Sequence, residues 1–182
     1  MAASRNTKDD AIAMLIDDHD RVKKIFKAFE KLGDDGAEDE KQQLMDTACT
    51  ELKIHAALEE EIFYPAALEA TGDDAMLDEA EVEHASAKDL IAMIEDSDAG
   101  DSMTCARFTV LGEYINHHVE EEQNEMFPKV RKAKIDLAAL GAQMQARKAE
   151  LLEEFGVPAD SAQLVAAASK SKPQAKRASR SA

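Results

Sequence analysis

The chain has 182 residues, which is enough for one domain with a sizeable hydrophobic core and requires no second domain. Hydrophobic residues make up 45% of the chain but aromatic residues only 4%, and this composition favours helices over sheets. A formal net charge of −16 repels nucleic acid and anionic membranes and attracts cations.

Apolar residues recur at helical spacing in four long segments that polar or glycine-containing breaks separate. Thr7, followed three residues later by Asp10, predicts the start of the first helix. Gly72 predicts the end of the second helix, and Asp73 or Asp74 is suited to cap the third. The predicted helices cover about residues 7–33, 38–70, 74–96 and 102–127.

A fifth segment, DLAALGAQMQARKAELLEEF at 136–155, has the apolar spacing of an amphipathic helix that Gly156 and Pro158 terminate. Farther on, Ala, Ser, Lys and Arg dominate, and such a composition cannot form a packed core. The predicted organisation is a bundle over 8–130, a C-terminal amphipathic helix within 131–158 and a flexible, disordered basic tail over 159–182.

One pattern occurs twice in the chain, as HAALEEEIFYP at 55–65 and HVEEEQNEMFP at 118–128. Each copy places a histidine first, a glutamate four residues later and a proline ten residues later. Residues four apart lie on one face of a helix, so each histidine and its glutamate project together. The apolar stripes of the second and fourth helices run into these pairs, which places both pairs in the core.

The repeat extends further, because aligning His19 with His84 also aligns the apolar positions that surround them. The chain therefore reads as two copies of a helical hairpin, each with a lone histidine followed by HxxxE. Two such hairpins with short loops predict an all-α, antiparallel up-down-up-down four-helix bundle with an additional C-terminal helix. Each of the four helices contributes one histidine to its interior.

Two buried carboxylates without a basic partner would cost several kcal/mol each, and the inward stripes offer no Lys or Arg at this level. Metal ions resolve this conflict, because carboxylates neutralise their charge and imidazoles fill further positions. Four histidines and two glutamates suit a pair of ions that both carboxylates bridge, with an oxo, hydroxo or water bridge completing each ion. The mixed donors favour iron or manganese over structural zinc. The predicted ligands are His19, His55, Glu59, His84, His118 and Glu122.

The HxxxE pattern also fits His117 and Glu121, but the proline spacing and the apolar stripe favour His118 and Glu122. His117 is therefore expected to be a neighbour of the site or a solvated residue. A plain surface ion pair is the alternative for any single HxxxE. The remaining glutamates of the two motifs are expected on solvated faces: Glu60, Glu61, Glu120, Glu121 and Glu125.

These residues resemble the hemerythrin-like HHE cation-binding family, whose four-helix bundle holds two non-haem irons through H…HxxxE…H…HxxxE. The resemblance covers about residues 8–130 and implies that the four histidines are iron ligands and the two glutamates bridging carboxylates. Oxygen-carrying hemerythrins have HxxxH in the third helix, whereas Lys88 stands four residues after His84 here. Partly open irons are therefore expected, as in bacterial hemerythrin-like proteins and di-iron iron-sulfur repair proteins, rather than reversible oxygen carriage.

Helical geometry places Glu51 and Tyr114 one turn before the second histidine of each half, so both are candidates to contact the metal ligands or a bound oxygen species. A packed tyrosine and a solvent-facing glutamate are the alternatives. Cys49 and Cys105 are far apart, without a CxxC pairing, and are expected to be buried thiols in a reducing compartment. The N-terminus lacks an apolar export signal. A cytoplasmic location without a membrane anchor is expected.

Three functions remain open at this point. The first is a di-iron protein that binds iron and a small oxidant (O2, NO or peroxide) at an open site. The second is a di-iron enzyme that disproportionates peroxide or reduces NO, or a protein that donates iron for iron-sulfur repair. The third is a helical scaffold whose basic tail contacts nucleic acid or another acidic partner, and the acidic body makes this the weakest of the three candidates. The sequence leaves the oligomeric state open.

Overall fold

The computed structural model describes residues 10–157, so Thr7, Pro158 and the tail predicted for 159–182 lie outside the described residues. All regular structure within this range is helical, which confirms the all-α prediction. None of the helices described is long and apolar enough to cross a bilayer. The elements are α1 (Ala11–Leu32), α2 (Glu38–Leu58), π1 (Glu59–Phe63), α3 (Tyr64–Thr71), α4 (Asp74–Glu95), α5 (Ser102–Glu121), π2 (Glu122–Met126), α6 (Phe127–Lys132) and α7 (Leu137–Glu154).

Aspartate side chains cap the starts of several helices by accepting a hydrogen bond from an exposed backbone N–H. Asp10 accepts from the backbone N–H of Ala13 at 2.8 Å and caps α1, which begins at Ala11. Asp73, rather than Asp74, caps α4. Asp101 and Asp136 cap α5 and α7 in the same way.

The second and fourth long helices each contain one turn of π-helix where the repeated motif ends. In each case a backbone N–H five residues later donates to the carbonyl of the motif glutamate: Tyr64 to Glu59 and Phe127 to Glu122. Pro65 and Pro128 follow directly, and proline lacks an N–H and clashes with the carbonyl four residues before it. The wider π turn accommodates each proline without breaking the helix. The proline of the motif therefore explains why both helices widen beside the buried glutamates.

Four long helical segments pack around a common interior, because α1 contacts α2 and α5 while α4 contacts α5 and α2. Their apolar side chains form two separate clusters. One cluster joins the end of α1 to the start of α5, and in it the ring of Phe108 packs against Phe26 in a tilted arrangement and against Phe29 edge to face. The other joins the start of α1 to the π turns and to Leu140 and Met144 of α7. A belt of histidine and glutamate side chains, belonging to neither cluster, is buried in the same bundle.

Candidate metal centre

Six polar side chains from all four long helical segments meet inside the bundle. The histidines lie on α1, α2, α4 and α5, and the two glutamates are the first residues of the π turns. All are almost inaccessible to solvent, with Glu59 at 0% and Glu122 at 2% exposure. The six residues are the ones that the sequence predicts as metal ligands: His19, His55, Glu59, His84, His118 and Glu122.

The four imidazoles form two pairs whose Nε2 atoms face each other. The distance between Nε2 of His19 and Nε2 of His55 is 3.0 Å, and between Nε2 of His84 and Nε2 of His118 it is 3.2 Å. Two nitrogen lone pairs at such a distance repel each other unless a proton or a cation lies between or beside them. A cation placed beside each pair would remove this repulsion.

Each carboxylate reaches one histidine of each pair. Oε2 of Glu59 lies 3.2 Å from Nε2 of His55 and 3.4 Å from Nε2 of His84. Oε2 of Glu122 lies 3.2 Å from Nε2 of His19 and 3.6 Å from Nε2 of His118. Both carboxylates therefore lie between the two histidine pairs. This is the position that a carboxylate needs in order to bridge two ions.

Most carboxylate oxygens at this level lack a hydrogen-bond donor. Among the described residues, both oxygens of Glu59 and Oε2 of Glu122 are buried without a hydrogen-bond partner. Burial raises the pKa of the Glu59 carboxyl, but the charge on His55 outweighs it and holds that pKa well below its usual range. An ionised Glu59 in this buried place therefore needs positive charge beside it. A multivalent cation satisfies these oxygens, so the residues present fit a metal centre.

The outward nitrogens of the histidines meet a set of polar groups that hold the rings in place. Nδ1 of His118 lies 2.7 Å from Glu83, and Nδ1 of His84 lies 2.9 Å from Glu60. A carboxylate that accepts the Nδ1 proton leaves the Nε2 lone pair free to bind a metal and fixes the ring orientation. The partners on the other pair are the side-chain amide of Gln123, 3.1 Å from His19, and Asp18, 3.8 Å from His55.

These outer partners, Asp18, Glu60, Glu83 and Gln123, differ from those that the sequence predicts. Tyr114 is 47% exposed and lies at the surface rather than at the site. Glu51 is partly buried and pairs with Arg21 at 3.4 Å. Arg21 in turn contacts Asp18, so Glu51 is linked to the outer partner of His55 and not directly to a predicted ligand. Helical spacing alone could not find these groups, because each of the four lies on a different helix from the histidine that it faces.

The tyrosine that does reach the centre is Tyr64, directly before the motif proline. Its hydroxyl oxygen lies 3.1 Å from Oε1 of Glu122 and 3.2 Å from Nε2 of His84. Burial, followed by the charges of Glu59 and Glu122, raises the pKa of this phenol well above its usual value. Tyr64 therefore keeps its proton next to the second histidine pair. The only sign of Tyr64 in the sequence was its place as the aromatic residue directly before the proline of HAALEEEIFYP.

The other acidic residues of the two motifs divide between the surface and the site. Glu61, Glu120 and Glu125 are exposed, as expected, whereas Glu121 is partly buried and Glu60 is half-buried between His84 and Lys88. His117 is largely exposed, with a side-chain exposure of 66%, and its Nε2 lies 3.4 Å from Glu121. The register that the apolar stripe favours is thus the one in which His118 is buried and His117 is not.

A small cavity of about 30 Å³ adjoins all four histidine rings. The rest of its wall is mainly apolar, from residues such as Ile91, Ile115 and Val119, and Lys53 and Lys88 also line it. That volume holds about one water-sized molecule.

Neither cysteine joins the centre. Cys49 is buried, and burial raises the pKa of its thiol to about 12, so the thiolate is not populated at neutral pH. The thiol of Cys105 donates a hydrogen bond to the carbonyl of Ala99 at 3.3 Å. Both residues are free thiols; Cys49 is buried, as the sequence predicts, whereas Cys105 is only partly buried.

Comparison with known proteins agrees with this geometry. The family model of the hemerythrin HHE cation-binding domain matches residues 10–130, so the chain belongs to that family. A solved structure with a similar fold is the crystal structure of a hemerythrin HHE cation-binding domain-containing protein from Mycobacterium kansasii. The two share 21% identity with a TM-score of 0.68, and the match covers 87% of this chain and 98% of that one. A search of curated proteins finds no match to this chain. The chain is therefore a helical, hemerythrin-like cation-binding domain.

Proposed function

We propose that the centre holds two non-haem iron ions and exposes them to a small oxidant, namely O2, NO or peroxide. The observation that carries the proposal is the position of the two carboxylates. Each reaches a histidine of both pairs, while three of their oxygens lack any hydrogen-bond donor among the described residues. Such oxygens are the natural bridges between two cations.

The donors divide evenly between two ions. His19 and His55 offer two nitrogens to the first ion, and His84 and His118 offer two to the second. Tyr64 lies beside the second pair only, where its hydroxyl can ligate an ion or donate a hydrogen bond to a bound molecule. Bound iron would supply redox and Lewis-acid chemistry here. Imidazole, carboxylate and phenol donors suit iron or manganese better than copper or structural zinc.

The apolar cavity favours a small and weakly polar ligand over a metabolite. Its volume of about 30 Å³ holds about one water-sized molecule, which favours a diatomic molecule or peroxide over a larger ligand. Lys88 lies near its edge and is held by Glu60, with Nζ 2.6 Å from both carboxylate oxygens. The position at which oxygen-carrying hemerythrins supply a further histidine is thus occupied by an ion pair, which supports open coordination positions.

Access to the cavity provides the test of this proposal. Ala56 and Ala87 line the cavity, and valine at either position narrows it without touching a ligand. In iron-loaded protein we expect Ala87→Val to slow the absorbance change on mixing with O2, NO or peroxide by about tenfold or more, at unchanged iron content. Ala99→Val is the control, because Ala99 is buried outside the cavity. Equal rates in all three proteins would contradict the assignment of the cavity as the ligand site.

A second candidate, disproportionation of peroxide, is favoured by Tyr64. A protonated phenol 3.1 Å from Glu122 can donate a hydrogen bond, and pass a proton, to an oxygen species that binds beside it. We expect Tyr64→Phe to lower oxygen evolution from peroxide by about 10- to 100-fold with unchanged iron content. The other tyrosine, Tyr114, is exposed, so Tyr114→Phe is a matched control without effect. If the iron-loaded wild-type protein evolves no oxygen from peroxide, this candidate is excluded and the binding function stands.

The two free thiols and the acidic surface support a cytoplasmic location for this function. The strong net negative charge also supports a metal cation and a small molecule as partners, rather than nucleic acid.

A further inference from the structure

One face of α5 carries large apolar side chains that remain exposed in the folded chain. Met103, Val110 and Tyr114 are 56%, 41% and 47% exposed, and they are three of the seven exposed large apolar residues within residues 10–157. The helices α1 and α2, which α7 packs against, expose no large apolar side chain. The uncovered apolar surface therefore lies on the other side of the bundle from α7.

These three residues belong to a stripe with the spacing of a helix–helix contact. Alternating steps of four and three residues return to the same side of an α-helix. On α5 such steps connect six positions, which we call the α5 stripe: Met103, Arg107, Val110, Tyr114, His117 and Glu121. All six are exposed or partly exposed. The middle of the stripe is apolar, with a cation on one side of it and a carboxylate on the other.

The internal repeat shows that the bundle itself does not require these apolar side chains. In the alignment of the two HxxxE motifs, the three apolar positions of the α5 stripe correspond to polar residues of α2: Glu40, Thr47 and Glu51. The first half therefore folds with polar side chains at the equivalent positions. Clustered apolar residues on a surface that the core does not use mark a contact with another molecule.

Arg107 supplies a second observation that points to a partner. The other arginines within residues 10–157 each contact a carboxylate: Arg21, Arg131 and Arg147. Arg107 has no ion-pair partner within that range, although the chain carries a net charge of −16. Arginine and tyrosine are the residues that contribute most often to the energetic centre of a protein interface. An unpaired arginine beside an apolar stripe therefore calls for a carboxylate from a second molecule.

The order of charges along the α5 stripe makes this face complementary to itself. Glu121 lies fourteen residues from Arg107, about 21 Å along the helix axis, so the two cannot pair within one helix. When two α5 helices run antiparallel, Val110 of each faces Tyr114 of the other, and Arg107 of each comes within reach of Glu121 of the other. A parallel arrangement would instead place Arg107 against Arg107. The charges thus select one orientation.

We propose that the α5 stripe is the contact between two copies of this chain, related by a two-fold axis with their α5 helices antiparallel. The proposal goes beyond the proposed function, because the contact uses none of the six predicted metal ligands. Each copy keeps its own centre. The second copy gives α5 the cover by a neighbouring helix that α7 gives to α1 and α2.

Sedimentation equilibrium of the full chain tests the contact, at about 0.15 M salt so that repulsion between the two acidic bodies is screened. We expect wild-type protein to have twice the mass of one chain. Val110→Glu brings two added carboxylates together near the two-fold axis and should weaken the dimer by about 100-fold or more. Leu68→Glu adds the same charge at an exposed leucine of α3, outside the stripe, and should leave the dimer unchanged. A wild-type monomer at every concentration, or equal dissociation of the two variants, would overturn the proposal.

A charge exchange tests the antiparallel orientation. Arg107→Glu and Glu121→Lys should each weaken the dimer by about tenfold or more, because each leaves like charges facing across the contact. The double variant exchanges the two charges and should recover most of the wild-type affinity. Circular dichroism and metal content should match wild type in all three variants, since none of these positions is a predicted ligand. Losses that simply add in the double variant would overturn the pairing of Arg107 with Glu121 of the second copy.

Discussion

The two halves of the bundle present the same set of histidines and one glutamate each but differ in what covers them. In the first half, α7 packs against α1 and α2, and Lys148 of α7 lies 2.6 Å from both oxygens of Asp18 beside His55. In the second half no helix described plays this part, and an acidic cavity reaches His118 and Glu122 from the surface. The repeat therefore makes the donors symmetric, while the C-terminal helix makes access to them asymmetric.

The outer partners of the histidines follow the same division. His84 and His118 in the second half each contact a carboxylate within hydrogen-bond distance, at 2.9 and 2.7 Å. In the first half His55 meets Asp18 only at 3.8 Å, because Asp18 is engaged by Lys148 and Arg21. In the first half, α7 therefore covers the groups beside the histidines. In the second half, those groups lie at an accessible acidic surface. Each prediction below tests one side of this contrast.

The bridging glutamates give the largest expected effect. If Glu59 and Glu122 each bind both ions, Glu59→Gln and Glu122→Gln should weaken binding of both ions equally, by more than about 100-fold. Metal content after dialysis against limited iron measures this, with Glu120→Gln as the control. Loss of one ion only, with the other half still loaded, would show that the two halves bind metal independently.

Truncating Met144, which packs α7 against the first half, should destabilise the protein without altering any of the six predicted ligands. Met144 is 0% exposed in the contact between α7 and the first half, so Met144→Ala is expected to cost about 2–5 kcal/mol of unfolding free energy. Met93, at 51% exposure on α4, provides the control, and Met93→Ala should stay within about 0.5 kcal/mol of wild type. Urea denaturation measures both. Equal stabilities would mean that α7 does not cover the first half.

The contact between Lys148 and Asp18 should show itself as a pH dependence. Burial opposes ionisation of Asp18, but contacts with His55 and Lys148 outweigh it and lower the pKa of the carboxyl below its usual value. A lowered folded-state pKa contributes stability above the ordinary carboxyl pKa, near 4, and this contribution is lost as pH falls below it. Lys148→Met is expected to cost about 1–3 kcal/mol at pH 7 and less at pH 3. Unfolding curves at both pH values decide this, and a larger cost at pH 3 would contradict the contact.

The smallest effect is expected at an outer partner of the accessible half. Glu60→Gln removes the charge that holds Nδ1 of His84, so iron affinity should fall by about tenfold while the fold persists. Glu81→Gln changes an exposed residue of α4 and serves as the control. Competition with a chelator measures the affinities. An unchanged affinity in Glu60→Gln would assign Glu60 to the ion pair with Lys88 alone.

The sequence predicted the elements whose signal is local. Helical spacing and a repeated HxxxE identified the helices and the six residues that meet in the interior, because residues four apart share a helix face. The remaining features depend on distances between helices. Glu60 reaches His84 and Glu83 reaches His118 only after the helices have packed, and one-dimensional spacing placed Glu60 in solvent.

Tyr64 and Tyr114 show that helical spacing also failed to predict which tyrosine reaches the centre. Tyr114 occupies a position one turn before His118, yet it is 47% exposed, because a shift of four residues also rotates the side chain by about 40° around the helix. Tyr64 reaches the centre because the π turn before it changes the direction in which the following residues point. The proline repeat signals that turn, but it does not fix the direction of a side chain.

The central claim is that two ions occupy the belt of histidines and glutamates, and the metal content of protein purified without added metal or chelator tests it most directly. Elemental analysis is expected to find two iron ions per chain, with ultraviolet charge-transfer bands in air that dithionite bleaches. Folded protein without a stoichiometric transition metal, which also takes up none from added Fe²⁺, would contradict the account.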